Sequence, residues 1–205
     1  MKLIIVEGPD NTGKSTVVNH LYDLLTEIGG ISPTHVKVIH CVKPDGKTNE
    51  EKIKHIDEYN QDLIDNLIDA SEIDTYDYII LDRSWYSEYV YGQIYRGRTE
   101  EECADIITDY QRIMSLQYKN YGDNVWLVML NADNPDFLVK HEDGKSLSMN
   151  TENPRDFMKK EIDMFNDLYD NLVTCNKVRV NVNNKDNTDF KSFDEVYKEV
   201  AYGLF

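Results

Sequence analysis

Apolar positions along the chain fall into two alternating rhythms. Short apolar runs of the kind a buried strand requires occur at Leu3–Val6, Tyr78–Leu81 and Val125–Leu130. His35–His40 reads as a further strand, and Val178–Val182 alternates as an edge strand does. Between these segments the spacing changes to 3.6 residues. Val17, Val18, Leu21, Leu24, Leu25 and Ile28 predict one apolar helix face, stopped by Gly29-Gly30. Ile53, Ile56, Leu63, Ile64, Leu67 and Ile68 predict a second, behind a capping box of Thr48 and Glu51. Thr99 to Asn120 forms a third, and the helix begun by Pro154 a fourth, with Phe157, Met158, Ile162, Phe165, Leu168, Tyr169 and Leu172 turned inward. Phe193, Val196, Tyr197, Val200, Ala201 and Leu204 mark the last. Trp85 to Tyr95 reads as a tyrosine-rich segment at a strand end, and Asn131 to Thr151 as polar and irregular.

Strands alternating with helices predict an α/β fold, a parallel five-stranded sheet with helices on both faces. Ligands in such folds gather at the carboxyl ends of the strands. Three loops sit there: Gly8–Ser15, Cys41–Gly46 and Asp82–Arg98. A length of 205 residues suits one domain, 1–205, with a small insertion.

The first of these loops carries explicit chemistry. Gly8-Pro9-Asp10-Asn11-Thr12-Gly13-Lys14-Ser15 satisfies G-x-x-x-x-G-K-[ST] in full, between a predicted strand and a predicted helix. Glycines let successive N–H groups converge on an anion, and the helix N-terminus adds its positive end. Lys14 supplies a cation for the outer phosphates of a nucleotide and Ser15 a hydroxyl for Mg2+, with Asn11, Thr12, Gly13 and Thr16 completing the cradle. Asp82, ending an apolar strand, stands where an acid held near that Mg2+ belongs. Arg83 beside it has the planar fork that grips a phosphate. Arg96 and Arg98 follow in the same segment, Arg98 reading as a surface ion pair.

Charge narrows the partners. With 22 basic against 38 acidic residues the formal net charge is -16, which argues against a nucleic-acid or anionic-membrane surface. Small nucleotides remain as substrates, provided the few basic groups converge on one cleft. Cys41, Cys103 and Cys175 show no paired spacing, so reduced thiols and a cytoplasmic protein are expected. No apolar run approaches a membrane span, and the N-terminal run is too short for a signal peptide.

These residues carry a family resemblance. Glu7-Gly8-Pro9-Asp10 resembles the E-G-x-D opening of thymidylate kinases, and Asp82-Arg83, Ser87, Tyr91 and Arg96-Gly97 resemble their D-R-x-x-x-S-x-x-x-Y…R-G segment. Val42-Lys43-Pro44-Asp45-Gly46 is similar to their R-E-P-G loop, and Leu130 with Pro135-Asp136 to the approach to their lid, here about 134–153. The resemblance implies a P-loop nucleotide kinase with a small lid, transferring a phosphoryl group from ATP to a deoxynucleoside monophosphate, dTMP first among them. It implies catalytic roles for Lys14, Asp82 and Arg83. It also implies an acceptor site of Asp10 on the sugar, Arg83, Arg96 and Lys43 on the phosphate, Tyr59 on the base, and Ser87 and Tyr91 beside them. A homodimer is the family's tendency. The arginine such kinases place in the phosphate loop or lid has no counterpart at Asn11, and the lid stretch offers Lys140, His141, Lys145 and Arg155 instead. The same Asp82–Ser87 run resembles deoxynucleoside kinases, which phosphorylate the nucleoside itself. A P-loop module that senses a nucleotide without turning it over is the third reading.

Overall fold

Five strands, β1 (Lys2–Glu7), β2 (Val36–His40), β3 (Tyr78–Asp82), β4 (Val125–Asn131) and β5 (Asn176–Asn181), form one parallel sheet in the order β2-β3-β1-β4-β5. This is a computed structural model, and it describes residues 1–141 and 151–205. The predicted strands are present, each with bounds shifted by a residue or two. Asp82 lies inside β3 rather than after it, and β5 takes the sheet edge its alternation implied.

The central strand β1 shows why Leu3 to Val6 are all apolar. Leu3 and Ile5 enter one core, with Ile79, Leu81, Leu127 and Met129, while Ile4 and Val6 enter the other, with Ile80, Val128 and Leu130. Both faces are covered, as an all-parallel sheet requires. Helices α2 (Asn49–Ile73), α3 (Ser87–Tyr95) and α4 (Glu100–Gln117) close the first face. Helices α1 (Lys14–Asp23), α6 (Pro135–Lys140) and α8 (Phe193–Leu204) close the second, α5 being the single turn Tyr121–Asn124. Helix α7 (Pro154–Asp167) gives Met158 and Ile162 to one core and Phe165 to the other.

The capping box of Thr48 and Glu51 forms, and Thr99 with Glu102 and Ser192 with Glu195 form two more. Three expectations are corrected. The helix after the phosphate loop changes to π geometry over Leu24–Ile28, which turns Ile28 into solvent at 79% exposure. The tyrosine-rich segment is helical (α3), and Asn131–Thr151 is not wholly irregular, because α6 begins at Pro135 with Asn134 accepting from the Asp136 N–H. Of the expected lid, residues 142–150, including Lys145, lie outside the described residues.

Candidate functional site

The strand order reverses between β1 and β4, so the loops leaving β1 and β3 open on the sheet's carboxyl edge. The loop after β1 is forced by close packing. A Cβ on Gly8 (φ 143°) would stand 2.1 Å from the Leu130 carbonyl oxygen of β4. Only glycine fits, and the chain turns at once into the loop. Gly13, at φ 81°, ends that loop in the left-handed region as the N-cap of α1. Inside it the Thr12 hydroxyl donates to the Pro9 carbonyl at 2.9 Å, and Asn11 donates to the Leu138 carbonyl of α6 at 3.2 Å.

Lys14 is buried, its Nζ 2.6 Å from the Pro9 carbonyl. Burial lowers its amine to about 8, with Arg83 adding to the shift and Asp10, Asp82 and Glu7 opposing it. Ser15 Oγ donates to Asp82 Oδ2 at 2.7 Å, joining the two candidates for Mg2+. A hydroxyl on α1 and a carboxylate at the end of β3 are hard oxygen donors, and they suit that cation held together with nucleotide phosphates. His40, the register partner of Asp82 on β2, places Nδ1 3.0 Å from the same Oδ2.

A second group assembles on the loop's other side. Arg83 adopts φ 69°, which swings its side chain from the end of β3 back onto the phosphate loop. Its guanidinium donates to the Asp10 carboxylate, to the Gly8 carbonyl at 3.2 Å and to Ser87 Oγ at 3.5 Å, and it lies 5.0 Å over the Tyr91 ring. The Tyr91 hydroxyl donates to Asp10 at 3.2 Å. Below them Glu7, fully buried, accepts from the Ser84 N–H, the Ser84 hydroxyl and the Ser87 hydroxyl at 2.7, 2.9 and 2.8 Å. Burial raises the Glu7 carboxyl; Arg83, Ser87, Ser84 and Lys14 oppose the rise.

The remaining candidates are placed differently. Arg96 is buried in an ion pair with Glu88 of α3, so its guanidinium is directed at that carboxylate. Arg98 is no surface pair, since its side chain is 7% exposed and binds both Asp57 oxygens at 2.6 Å and Glu88 at 3.1 Å. A buried carboxylate flanked by two arginines is compensated structure. Tyr59 of α2 reaches the Cys41 thiol beyond β2, and burial pushes that thiol up to about 12. Lys43 is exposed on the loop after β2, and Arg155 binds Asp136 at 2.6 Å, tying α7 to α6. The three thiols form no disulfide, and no helix among the described residues is long and apolar enough to cross a membrane.

A further residue of this site was missed. Glu161 of α7 is 0% exposed, accepts the Tyr95 hydroxyl at 2.5 Å and the Asp10 N–H at 3.5 Å, and so completes the ring around Asp10. Burial, followed by the Asp10 charge, raises it to about 7. Its signal was spacing: three residues after Met158 and four before Phe165, it falls on the buried face of its helix.

No protein-family model and no curated protein matches the chain. Solved structures do. A thymidylate kinase from Ehrlichia chaffeensis is similar over 100% of this chain and 98% of its own, with a TM-score of 0.66 and 17% identity. The YorR protein from Bacillus subtilis, solved in complex with phosphorylated GDP, is similar over 98% and 94%, with a TM-score of 0.56 and 20% identity. The chain has the P-loop kinase fold, an α/β sheet of five parallel strands flanked by helices.

Proposed function

We propose that the protein transfers the terminal phosphoryl group of ATP to a deoxynucleoside monophosphate, with dTMP the first acceptor to test. One observation carries the reading: a single loop has Lys14, Ser15 and Asp82 on one side and Asp10, Arg83 and Tyr91 on the other. That is one set of groups for a nucleoside triphosphate and another for a second, sugar-bearing anion. The two similar structures, a thymidylate kinase and a protein in complex with phosphorylated GDP, agree with this reading.

Such transfer needs positioning and charge neutralisation more than covalent help from the protein. The loop N–H groups and the Lys14 ammonium hold the donor phosphates. Ser15 and Asp82 would hold Mg2+, which supplies charge compensation at the transferring group. Arg83 would grip the acceptor phosphate in line with the donor, and Asp10 would accept a hydrogen bond from the acceptor sugar. The acceptor oxygen forms the new P–O bond as the bond to ADP breaks.

A deoxynucleoside kinase is the second reading, and one feature favours it. Arg83 is already faced by Asp10, by Glu7 at 4.0 Å and by the Glu161 carboxyl near Asp10, so an uncharged acceptor avoids competing with them. A coupled ADP-release assay across the common deoxynucleoside monophosphates, dUMP and the corresponding nucleosides separates the two. Turnover of dTMP above thymidine is the expected result. ATP binding without any turnover would leave a nucleotide-sensing module.

A further inference from the structure

We infer that His40 is a positioning residue for Asp82, holding one carboxylate oxygen so that the other is presented to the nucleotide-bound cation. The inference rests on the reading of Ser15 and Asp82 as that cation's holders. The contact is built by the sheet: His40 and Asp82 are register partners on adjacent parallel strands, and the Cys41 N–H continues the ladder to the Asp82 carbonyl at 3.1 Å. Register partners project to the same face, so the imidazole and carboxylate meet without any loop having to fold correctly.

The arrangement of donors gives the contact its meaning. Ser15 Oγ and His40 Nδ1 both lie on Asp82 Oδ2, at 2.7 and 3.0 Å, while Oδ1 accepts no hydrogen bond among the described residues. A carboxylate accepts and does not donate, so Nδ1 carries the proton. The last torsion of an aspartate is broad and nearly two-fold; two donors on one oxygen select a single orientation. When the Ser15 hydroxyl turns to the cation, His40 remains on Oδ2 and keeps Oδ1 in place. Partners of this outer kind orient a ligand without touching the metal. His40 is 60% exposed against 10% for Asp82, so its removal takes away orientation and little core.

The test reads the metal directly. Mn2+ binding to the protein–ADP complex is measured by electron paramagnetic resonance for the wild type, His40→Ala, His40→Asn and His40→Gln. His40→Ala should weaken Mn2+ by about tenfold, the lower end of the range for such partners, with metal-free ADP affinity changed less than twofold. His40→Asn sets an amide N–H near the Nδ1 position and should restore most of the loss. His40→Gln reaches toward the Nε2 position and should not. In the metal-free protein at alkaline pH, imidazole nitrogen shifts should report the Nδ1–H tautomer. Mn2+ affinity within twofold of wild type in His40→Ala, or an Nε2–H tautomer, overturns the inference. Failure of the wild type to bind Mn2+ with ADP removes the cation site and the inference with it. Mn2+ binding with the expected His40 pattern but no phosphorylated acceptor removes only the kinase reading.

Discussion

Asp10 and Arg83 stand 73 positions apart in the chain, yet their side chains form an ion pair over the phosphate loop, with Tyr91 bonded to one and stacked under the other. The loop's acid and the arginine at the end of β3 therefore act as one unit. If that unit receives the acceptor, Arg83→Ala raises the acceptor KM about ten- to hundredfold, the loss of a hydrogen bond to a charged group, while the ATP KM moves less than twofold. Steady-state kinetics with each substrate varied in turn decides it. Equal weakening of both would place Arg83 on ATP.

Lys14→Ala should lower kcat by about a thousandfold, the scale on which a preorganised charge clamp acts, with an unchanged circular dichroism spectrum. The amine also leaves a mark on stability. Unfolded, it holds its proton up to about 10.5; folded, only to about 8. Between those values the unfolded chain binds more protons, so stability rises with pH across that window. Lys14→Met should flatten the rise in chemical denaturation curves taken from pH 8 to 10.

Glu161 predicts the opposite slope at lower pH. Its folded carboxyl titrates near 7 against an ordinary 4.5, so the folded state holds the extra proton between those values. Stability contributed there is present at low pH and is lost as pH rises through about 7. Glu161→Gln keeps an acceptor for Tyr95 and should abolish that slope. A wild type and variant with parallel profiles from pH 4.5 to 8 would show that Glu161 is ionised throughout.

Arg96 separates structure from catalysis. Its guanidinium is spent on Glu88, so Arg96→Ala leaves a buried carboxylate with Arg98 alone and should cost about 3 kcal/mol of stability. The acceptor KM, measured well below the new melting temperature, should stay within threefold. A large KM increase at unchanged stability would return Arg96 to the acceptor phosphate.

Much of this was legible where chemistry and pattern coincide. The strands and amphipathic helices declare themselves by period, and the phosphate loop by residues that no other backbone path needs. Helix α3 was hidden for a physical reason: Glu88 to Gly92 are all buried, so no polar face marks a period. Gly92 at its centre looks like a turn former. There it makes room instead, since a Cβ would stand 2.6 Å from Glu88 Oε1 and 2.9 Å from Cys103 Sγ. The pairing of Arg96 was hidden with it, because Glu88 reads as an ordinary surface acid until α3 is known to be buried. His40 was equally invisible, since its partner is set by a strand register that a single sequence does not display.

The contact between Gly8 and the Leu130 carbonyl bears on how such a site changes over generations. A loop wedged against a central strand is a fixed abutment: it has no slack in which a larger side chain could be tried and later refined. The residues around Asp10 come instead from three other places, the turn after β3, α3 and α7. If a second nucleotide is accepted there, shifts in its identity would accumulate in those three places, with the phosphate loop left as a constant.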